Sequence, residues 1–426
     1  MNLLKHLLLA ATLLFSFGFM AKAQQVDQQA LRAFMEKRFG LFIHWGPVSL
    51  RGTEIGWSRG HQVPSADYDQ LYKEFNPMLF NAEKIVAMAK SAGMRYLTIT
   101  AKHHDGFCLW PSAFTDYDIA STPYKKDVIK ALAKACKKVD IAFCIYYSVC
   151  DWYHPDYPIH RSGDKQLDPK SNMANYVQYM KNQLQELVTK YDPEMLWFDG
   201  AWESPWTESM GREVYSFLKE LKPALIVNNR LGKEIAAVNN KKIDVSKMIG
   251  DFDTPEQVVG HYNLELPWES CFTLCKQWSW KANDEMKPLK HCLDIISKTA
   301  GGSGNLLLNI GPMPDGRVEA RQQQRLLEIG KWMKTYGVAL YGTTAGPYAP
   351  TEDYTTTRGE KTLYIHILNT AKTEVQLPAF TLGKVAKAQV IDGESVDVQV
   401  KGDSLLLNLP HQRKDTQNYV VALSLM

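Results

Sequence analysis

The stretch Met195-Leu196-Trp197-Phe198-Asp199-Gly200 is a short apolar run that ends in one carboxylate and one glycine. The run is typical of a buried strand, and the glycine lets the backbone turn away. A buried strand has no use for a terminal acid, although a turn aspartate that hydrogen bonds to local backbone is equally frequent. Whether Asp199 is a turn residue or a functional group must therefore be inferred from the rest of the sequence.

Similar apolar runs recur along the chain and alternate with amphipathic segments. Eight such units favour a (β/α)8-like barrel over an open doubly wound sheet. No Gly-x-Gly-x-x-Gly motif follows the first run, which disfavours a nucleotide-binding sheet. The predicted strands are Phe39–Gly46, Tyr96–Ala101, Ile141–Ser148, Met195–Asp199, Leu225–Arg230, Met248–Phe252, Glu269–Thr273 and Leu306–Gly311.

The helices between these strands have the expected period and start signals. Asn81 and Asp127 are predicted to cap the first two helices, and Gly93 to end the first. The stretch between Arg230 and Met248 has only a weak helical pattern, so an irregular fifth helix is expected. The other predicted helices are Met173–Tyr191, Arg212–Leu221, Leu289–Thr299 and Ala320–Tyr336.

The pattern changes after about residue 345, where short alternating strands follow one another without helices. This pattern predicts a barrel over residues 24–345 and a C-terminal antiparallel β-sandwich over residues 346–426. A structural or modest binding role is expected for the second domain. The predicted strands there are Leu363–Leu368, Thr373–Leu377, Ala388–Ile391, Val396–Val400, Leu405–Leu409 and Val420–Met426.

Residues 1–23 have the composition of a signal peptide. A polar start at Lys5 precedes a mostly apolar run, and Ala21-Lys22-Ala23 fits the small-x-small cleavage rule. The protein is therefore expected to be exported, to the periplasm or the medium, after cleavage near Ala23. No later run approaches the ~20 apolar residues of a membrane span, so no membrane insertion is expected. Without the two lysines of this segment the formal charge falls from +3 to +1, which disfavours nucleic acid as a partner and favours a neutral substrate.

The cysteines and histidines predict neither disulfides nor a metal site. The seven cysteines are odd in number and lie in apolar or helical settings, so they are expected to be small buried hydrophobes. His103 and His104 are adjacent and point to opposite faces of a strand, so the His-x-His spacing that would put two metal ligands on one face is missing. No cofactor is expected.

Polar or aromatic residues follow every predicted strand, at the end where barrels carry their chemistry. Aromatic rings beside hydroxyl-binding groups suit a sugar, and two carboxylates across the ring supply a nucleophile and a proton donor. Examples are His44-Trp45-Gly46, His103-His104-Asp105-Gly106, Tyr146-Tyr147-Ser148, Trp197 with Asp199, Asn229-Arg230, Asp251 with Asp253 and Glu256, Trp268-Glu269, and Asn309.

Seven collinear motifs between about residues 30 and 345 resemble glycoside hydrolase family 29, the retaining α-L-fucosidases. Each motif is weak alone, but seven in order are specific. They are Phe42-Ile43-His44-Trp45-Gly46, Thr100-Ala101-Lys102-His103-His104-Asp105-Gly106-Phe107, Tyr146-Tyr147-Ser148, Leu196-Trp197-Phe198-Asp199-Gly200, Gly250-Asp251-Phe252-Asp253-Thr254-Pro255-Glu256, Trp268-Glu269-Ser270-Cys271 and Gly304-Asn305-Leu306-Leu307-Leu308-Asn309-Ile310-Gly311-Pro312.

The resemblance implies a role for each matching residue. Asp199 would be the nucleophile and Glu256 the acid/base, with Glu269 as the rival for that second role. The implied substrate is a fucosylated oligosaccharide or glycoconjugate. The implied sugar-binding residues are His44, Glu54, Trp57, His103, His104, Tyr146, Trp197, Arg230, Glu269 and Trp280.

Departures from the family pattern leave the finer specificity open. The Glu-Trp pair after the first strand is split here into Glu54 and Trp57, so either could reach the sugar. Pro267 replaces a common lysine, and Ser279-Trp280 is followed by Lys281-Ala282 rather than Gly-Tyr. Linkage preference, including restriction to 1,3/1,4 linkages, and oligomeric state stay open. The alternatives are an α-L-galactosidase or other barrel glycosidase, and a catalytically silent glycan-binding protein.

Overall fold

The computed structural model describes residues 27–233, 243–260, 262–410 and 417–426. The predicted signal peptide, residues 1–23, lies outside these ranges. Most of the irregular fifth helix also lies outside them, and the described part of that stretch contains one 3-10 turn, Val245–Lys247.

A curled parallel sheet of seven strands forms the first part of the molecule. The strand order is β5-β4-β3-β2-β1-β7-β6, so each strand lies beside its neighbour in sequence and β1 joins the last strand. This order confirms the barrel-like fold. The strands are β1 Phe39–Ile43, β2 Tyr96–Lys102, β3 Ala142–Ser148, β4 Met195–Asp199, β5 Ile226–Val227, β6 Glu269–Thr273 and β7 Asn305–Ile310.

The predicted strand Met248–Phe252 is wrong as a continuous strand. Between β5 and β6 the described residues form only isolated bridges, which are Asn228 to Phe252, Arg230 to Ile249, Asp253 to Trp268 and Glu256 to Cys271. Gly250 has a φ of 146°, and a Cβ there would lie 2.3 Å from the carbonyl oxygen of Asn228. The backbone therefore bends where a regular ladder would continue, and the barrel is closed irregularly on this side.

Eight helices are found in the described residues, and their caps explain where they begin. Asn81 accepts the N–H of Lys84 at 2.8 Å and Asp127 accepts that of Lys130 at 2.8 Å, which confirms both predicted caps. The helices are α1 Gln28–Met35, α2 Ser65–Tyr68, α3 Ala82–Ser91, α4 Val128–Lys138, α5 Met173–Tyr191, α6 Glu208–Leu221, α7 Leu289–Gly301 and α8 Ala320–Tyr336.

Helix α1 closes the N-terminal end of the barrel, and sequence analysis did not predict it. Phe34 packs edge-on against Tyr96, with ring centroids 5.1 Å apart. The backbone carbonyl of Phe34 accepts a hydrogen bond from the side-chain amide of Asn305. We call this closed end the floor and define it by Phe34, Tyr96, Glu269 and Asn305. The opposite end, where the strands finish, is called the mouth.

The C-terminal part is all antiparallel. A five-stranded sheet has the order β12-β15-β10-β9-β8, and a three-stranded sheet the order β11-β14-β13. The predicted boundary at residue 346 stays a prediction, and β8 already pairs with β9 just before it. The strands are β8 Thr344–Ala345, β9 Tyr354–Arg358, β10 Thr362–Ile367, β11 Glu374–Leu377, β12 Val385–Val390, β13 Asp397–Lys401, β14 Ser404–Asn408 and β15 Tyr419–Leu425.

The seven cysteines all lie in described segments, where each is buried with a free thiol. This confirms the expectation that they pack as small hydrophobes. Of the helices that the structure describes, none combines the length and apolar character needed to cross a bilayer.

Candidate active site

The carboxyl ends of the parallel strands bring several of the predicted site residues together at the mouth. Tyr146 and Asp199 lie at the ends of the paired strands β3 and β4. His44 directly follows β1, and its ring lies 5.6 Å from that of His103, which follows β2. Parallel strands share one direction, so residues far apart in sequence meet at the same edge.

Both side-chain oxygens of Asp199 accept hydrogen bonds. Nη1 of Arg230 donates to Oδ1 at 2.9 Å, and the hydroxyl of Tyr146 donates to Oδ2 at 3.2 Å. The side chain is 13% exposed. The next residue, Gly200, has a φ of 101°, and a Cβ there would lie 2.6 Å from Sγ of Cys150, so the turn after the strand requires glycine.

Glu256 faces the same cation. Nη1 of Arg230 also donates to Oε2 of Glu256, at 2.8 Å. Since both carboxylates bind one nitrogen, Oδ1 of Asp199 and Oε2 of Glu256 are no further apart than the 2.9 and 2.8 Å distances together. The Glu256 side chain is 32% exposed, so it stands at the open side of the pair.

Arg230 is fixed from below and from the side. Its Nε donates to the hydroxyl of Thr254 at 2.8 Å, and Nη2 to the carbonyl of Thr254 at 3.0 Å. The guanidinium lies over the ring of Trp197, 4.5 Å from the centroid. The two carboxylates raise the pKa of Arg230 above its ordinary value despite burial, so it stays a cation.

His104 is neutral, and its hydrogen bonds determine its tautomer. Burial lowers the pKa of His104 to about 3. Ser148 donates its hydroxyl proton to the carbonyl of Cys150 at 2.6 Å, so it accepts from Nδ1–H of His104, also at 2.6 Å. Nε2 is therefore an unprotonated acceptor, and its 3.7 Å approach to Oδ2 of Asp199 is not an ion pair. This buried nitrogen has no hydrogen-bond partner among the described residues.

His44 has the same arrangement. Its Nδ1 lies 2.6 Å from Oδ1 of Asn309, whose amide nitrogen donates to the carbonyl of Trp278 at 2.7 Å. Nδ1 of His44 is therefore the donor and Nε2 the acceptor. Burial lowers the pKa of His44 to about 3. The mouth thus contains two neutral imidazoles, each with an acceptor nitrogen.

His103 and Tyr146 form a stacked pair beside these groups. Their rings are 5.3 Å apart with an interplanar angle of 4°. Tyr146 also stacks on Trp197, with ring centroids 5.5 Å apart and an angle of 17°. Burial and the neighbouring imidazoles lower the pKa of His103 well below its ordinary range. This side of the mouth is a column of flat, uncharged rings.

Glu269 lies at the floor. It is the first residue of β6 and fully buried, and it accepts the indole N–H of Trp197 at 3.1 Å and the hydroxyl of Tyr96 at 2.5 Å. The predicted rivals for the acid role are therefore at different depths, with Glu256 at the mouth and Glu269 beneath Trp197.

Glu54 and Trp57 occupy different positions. The Glu54 carboxylate accepts the backbone N–H of Trp278 at 3.0 Å and that of Ser279 at 3.0 Å. Trp57 is 38% exposed at the rim and stacks on the exposed Trp202, with an angle of 14°. Both indoles meet the ring of His104 edge-on, with centroids 5.4 Å away.

Two tryptophans of one segment take different directions. Trp280 donates its indole N–H at 3.2 Å to Glu319, the residue directly before α8. Trp278 instead packs against His44, with ring centroids 4.7 Å apart. Sequence reasoning selected Trp280 from the Ser-Trp motif and missed Trp278. The available signal was the second tryptophan two residues earlier.

Three other residues of the site were also not predicted to contribute to it. Asn309 and Ser148 were noted only as strand ends, although they determine the tautomers of His44 and His104. Trp202 follows Asp199 by three residues and had no motif of its own. Asp251, expected at the mouth, instead binds Tyr215 and Lys219 of α6.

A barrel whose mouth holds two carboxylates on one arginine, beside neutral imidazoles and flat aromatic rings, defines a glycoside hydrolase. Comparison with known proteins agrees with this class. A sequence model described as Alpha-L-fucosidase matches residues 14–338. The chain therefore belongs to the alpha-L-fucosidase family, glycoside hydrolase family 29.

Relatives and solved structures support the family assignment. The chain is 30% identical over 336 residues to the tissue alpha-L-fucosidase of Rattus norvegicus, covering 73% of this chain and 70% of that protein. It superposes on alpha-L-fucosidase isoenzyme 1 from Paenibacillus thiaminolyticus with a TM-score of 0.84 and 32% identity, covering 94% and 100% of the two chains. A GH29 alpha-L-fucosidase from Bacteroides thetaiotaomicron, solved as a trapped covalent intermediate with 2-fluoro-fucosyl fluoride, matches with a TM-score of 0.83 and 28% identity, covering 95% and 97%.

Proposed function

We propose that this chain is a retaining exo-α-L-fucosidase that removes terminal α-L-fucosyl residues from glycans, with Asp199 as nucleophile and Glu256 as acid/base. The observation that carries the proposal is the single Arg230 nitrogen that binds both carboxylates. Oδ1 of Asp199 and Oε2 of Glu256 are no further apart than the 2.9 and 2.8 Å distances together, which is below the ~6.5 Å separation at which inverting pairs begin. A separation in the range of retaining pairs favours direct attack by Asp199 over attack by a water that a carboxylate activates.

In the first step an Asp199 oxygen bonds to the anomeric carbon while the glycosidic bond breaks. Glu256 gives its proton to the departing oxygen, so the leaving group departs as a neutral alcohol. Asp199 loses its charge to the new ester bond and Glu256 becomes the carboxylate, so the net charge beside Arg230 is unchanged. The cation therefore stabilises the pair before and after the step.

In the second step Glu256, now ionised, takes a proton from water. The hydroxide oxygen bonds to the anomeric carbon from the face that the leaving group vacated, and the bond to Asp199 breaks. Fucose leaves with the configuration it had in the substrate. Two inversions at one carbon give net retention.

Sugar recognition is supported by the neutral imidazoles. A sugar hydroxyl can donate to Nε2 of His104 or His44, which the tautomers leave as acceptors. The stacked rings of His103, Tyr146 and Trp197 offer a flat surface for C–H groups. Together these features suit a neutral, partly apolar sugar such as fucose.

Contacts on the leaving-group side would set the linkage preference. The exposed Trp57 suits contact with the rest of the glycan, because its ring stands at the rim beside His104. Glu54 acts indirectly in this proposal, by holding the backbone of Trp278 and Ser279. Glu269 likewise acts through Trp197, and Trp280 through its hydrogen bond to Glu319. Whether the enzyme is general or restricted to 1,3/1,4 linkages depends on this rim.

We further propose that the protein is exported after cleavage near Ala23, on the composition of residues 1–23. The proposed division is a catalytic part over residues 24–345 and a β-sandwich over residues 346–426. N-terminal sequencing of the mature protein from its native host tests the cleavage site. A mature chain that still begins at Met1 would contradict export by this route.

The central experiment is hydrolysis of an aryl α-L-fucoside, with the aryl α-L-galactoside as comparison. Proton NMR of the first-formed sugar should show α-L-fucose before mutarotation. The galactoside adds one hydroxyl at C6, so it should react more slowly if the methyl group packs against the rings. First-formed β-L-fucose would contradict the double displacement, and preference for the galactoside would contradict the substrate.

A further inference from the structure

Glu269 is a buried carboxyl group for which the two-step reaction has no use. Its side chain has no exposed surface, and both of its hydrogen bonds come from uncharged donors, Trp197 and Tyr96. Burying a carboxylate without a paired cation is costly. We therefore expect Glu269 to have a role other than filling space at the floor.

The Tyr96 hydroxyl can accommodate either protonation state of Glu269. It lies 2.5 Å from Oε2 of Glu269 and 3.2 Å from the carbonyl oxygen of Leu306. When Glu269 is ionised, Tyr96 donates to it. When Glu269 carries a proton, it donates to Tyr96, which turns its own proton to Leu306. No hydrogen bond of Glu269 is lost in either state.

Trp197 connects this floor pair to the catalytic groups. The indole N–H donates to Glu269, while the ring face supports the Arg230 guanidinium at 4.5 Å. A negative charge at the indole edge makes the ring a better partner for a cation. That same Arg230 holds Asp199 and Glu256.

We propose that Glu269 is a positioning residue whose hydrogen bond with Tyr96 beneath Trp197 reverses direction when Glu269 loses its proton, and that its charge determines how long Glu256 keeps its proton as the pH rises. The inference rests on the proposed function, because it assigns Glu256 the role of acid. Glu269 itself touches neither substrate nor reacting atoms. It acts through Trp197 and through its field at Arg230.

The surroundings of Glu269 allow this exchange near neutral pH. Burial raises the pKa of Glu269 to about 7, while the hydrogen bonds from Tyr96 and Trp197 and the Arg230 cation oppose the rise. Burial raises the pKa of Tyr96 well above its ordinary value, so its phenol stays protonated. The other titratable groups that face Glu269 are the thiols of Cys144 and Cys271, which burial likewise keeps neutral.

The sign of the effect follows from like charges. As Glu269 ionises above neutral pH, its charge disfavours ionisation of Glu256, which therefore retains its proton longer. On the acid side Glu269 is already neutral, so the acidic limb is unaffected. Glu269 should thus extend the alkaline limb of the pH profile and leave the acidic limb alone.

Glu269→Gln tests the proposal with little change of shape. The amide oxygen can accept from Trp197 and the amide nitrogen can donate to Tyr96, so the variant reproduces the protonated state permanently. We expect the alkaline limb of kcat/KM to move down by at least about half a pH unit, with the acidic limb unchanged. Activity at the acidic optimum should stay within about threefold of wild type.

Tyr96→Phe is the second variant. It removes a donor that favours the ionised form more than the neutral one, because hydrogen bonds to charged groups are stronger. The alkaline limb should therefore move in the same direction as in Glu269→Gln. Either variant is sufficient if the other does not fold.

Glu203→Gln is the matched control. Glu203 is also buried and accepts a tryptophan N–H, from Trp152 at 3.0 Å, and a tyrosine hydroxyl, from Tyr157. Trp152 packs on His104 rather than under Arg230. Its variant should keep both limbs at the wild-type pH, even if activity falls.

Several outcomes would overturn the inference. A uniform loss of activity at all pH values with unmoved limbs would reduce Glu269 to a structural residue. An equal shift in Glu203→Gln would assign the effect to general disturbance of the mouth. Infrared spectra provide a readout that needs no turnover: between about pH 6 and 8 wild type should lose a carbonyl band of a neutral buried carboxylic acid that Glu269→Gln lacks, and the variant separates this band from that of buried Asp105, whose pKa burial raises to about 6. Absence of that transition would contradict the protonation change of Glu269 even if no fucoside were hydrolysed, whereas failure of hydrolysis alone would contradict only the proposed function.

Discussion

The mouth and the floor of this barrel each hold one glutamate, and opposite kinds of partner hold them. Glu256 is partly exposed and bound to the Arg230 cation. Glu269 is fully buried and bound to a phenol and an indole. The comparison shows that a carboxyl group's role follows from its partners and solvent access, not from its residue type.

Position along the strand separates the two as well. Glu269 begins β6, so the strand direction puts it at the closed end of the barrel. Glu256 comes from the irregular segment between β5 and β6, where it forms an isolated bridge with Cys271. The broken ladder on this side of the barrel lets the chain reach inward over the mouth.

The largest effect is expected from Asp199→Ala at the mouth. Loss of the nucleophile should lower kcat by about 10³-fold or more, or ~4 kcal/mol in the barrier. The fold should persist, because the side chain ends a strand at the mouth and fills no core space. Steady-state kinetics and circular dichroism measure both. Asp164→Ala, which removes a surface carboxylate paired with Arg161, is the control and should keep full activity.

A loss of less than about tenfold for Asp199→Ala would remove this residue from the mechanism, since ~1.4 kcal/mol is too little for a nucleophile.

The next largest effect is expected from a direct comparison of alanine variants of the two glutamates. Glu256→Ala should lose about 10²-fold or more on a natural fucosyl disaccharide and far less on an aryl fucoside, whose leaving group needs little protonation. Azide should restore part of the second step, because it needs no general base. At acidic pH, where Glu269 is neutral, Glu269→Ala should slow both substrates alike and show no azide rescue, because there Glu269 acts only by supporting Trp197.

The reverse pattern, with substrate-dependent loss and azide rescue only in Glu269→Ala, would reassign the acid role to Glu269. It would contradict the different roles assigned here to the glutamates of the mouth and the floor.

A smaller effect concerns stability, on which mouth and floor act with opposite signs. His44 and His104 have pKa values of about 3, below the ~6.5 of an unfolded histidine. The unfolded chain therefore takes up more protons below pH ~6.5, and each residue lowers the free energy of unfolding by up to ~1.4 kcal/mol per pH unit as the pH falls. Glu269, with a pKa of about 7, is protonated in the folded chain first. Its contribution rises as the pH falls from 7 towards the unfolded value of ~4.3.

Urea unfolding at pH 7 and pH 5.5 measures this balance. Glu269→Gln removes the opposing proton uptake, so its stability should fall more steeply with acid than that of wild type. A slope equal to or shallower than the wild-type slope would contradict the protonation states assigned to the floor.

Removal of metal ions is expected to have no effect on activity. Overnight chelation should leave fucosidase activity unchanged, because the two-carboxylate reaction needs no Lewis acid and the Nδ1 atoms of His44 and His104 are engaged by Asn309 and Ser148. Loss of activity that zinc restores would show that the reaction at the mouth needs a metal ion and would contradict the two-carboxylate mechanism.

Much of the fold follows from local patterns. The bounds of α5 and α8 were predicted at both ends, and the caps Asn81 and Asp127 were confirmed, because capping and helical period depend on neighbours a few residues away. The predicted strand Met248–Phe252 was wrong, because its break depends on a close approach between Gly250 and Asn228. Helix α1 was missed for a similar reason, since its packing against Tyr96 is a long-range contact.

By itself the sequence determined the succession of strands and helices, the C-terminal antiparallel strands and the motifs that place the chain in its family, since these rest on spacing within short segments. Only the tertiary structure decided that Trp278 rather than Trp280 faces His44, which ring nitrogens are acceptors, and that one nitrogen of Arg230 meets both Asp199 and Glu256. These are distances between atoms far apart along the chain. Their values depend on the curvature of the sheet and on the packing of whole elements, which no short stretch of sequence encodes.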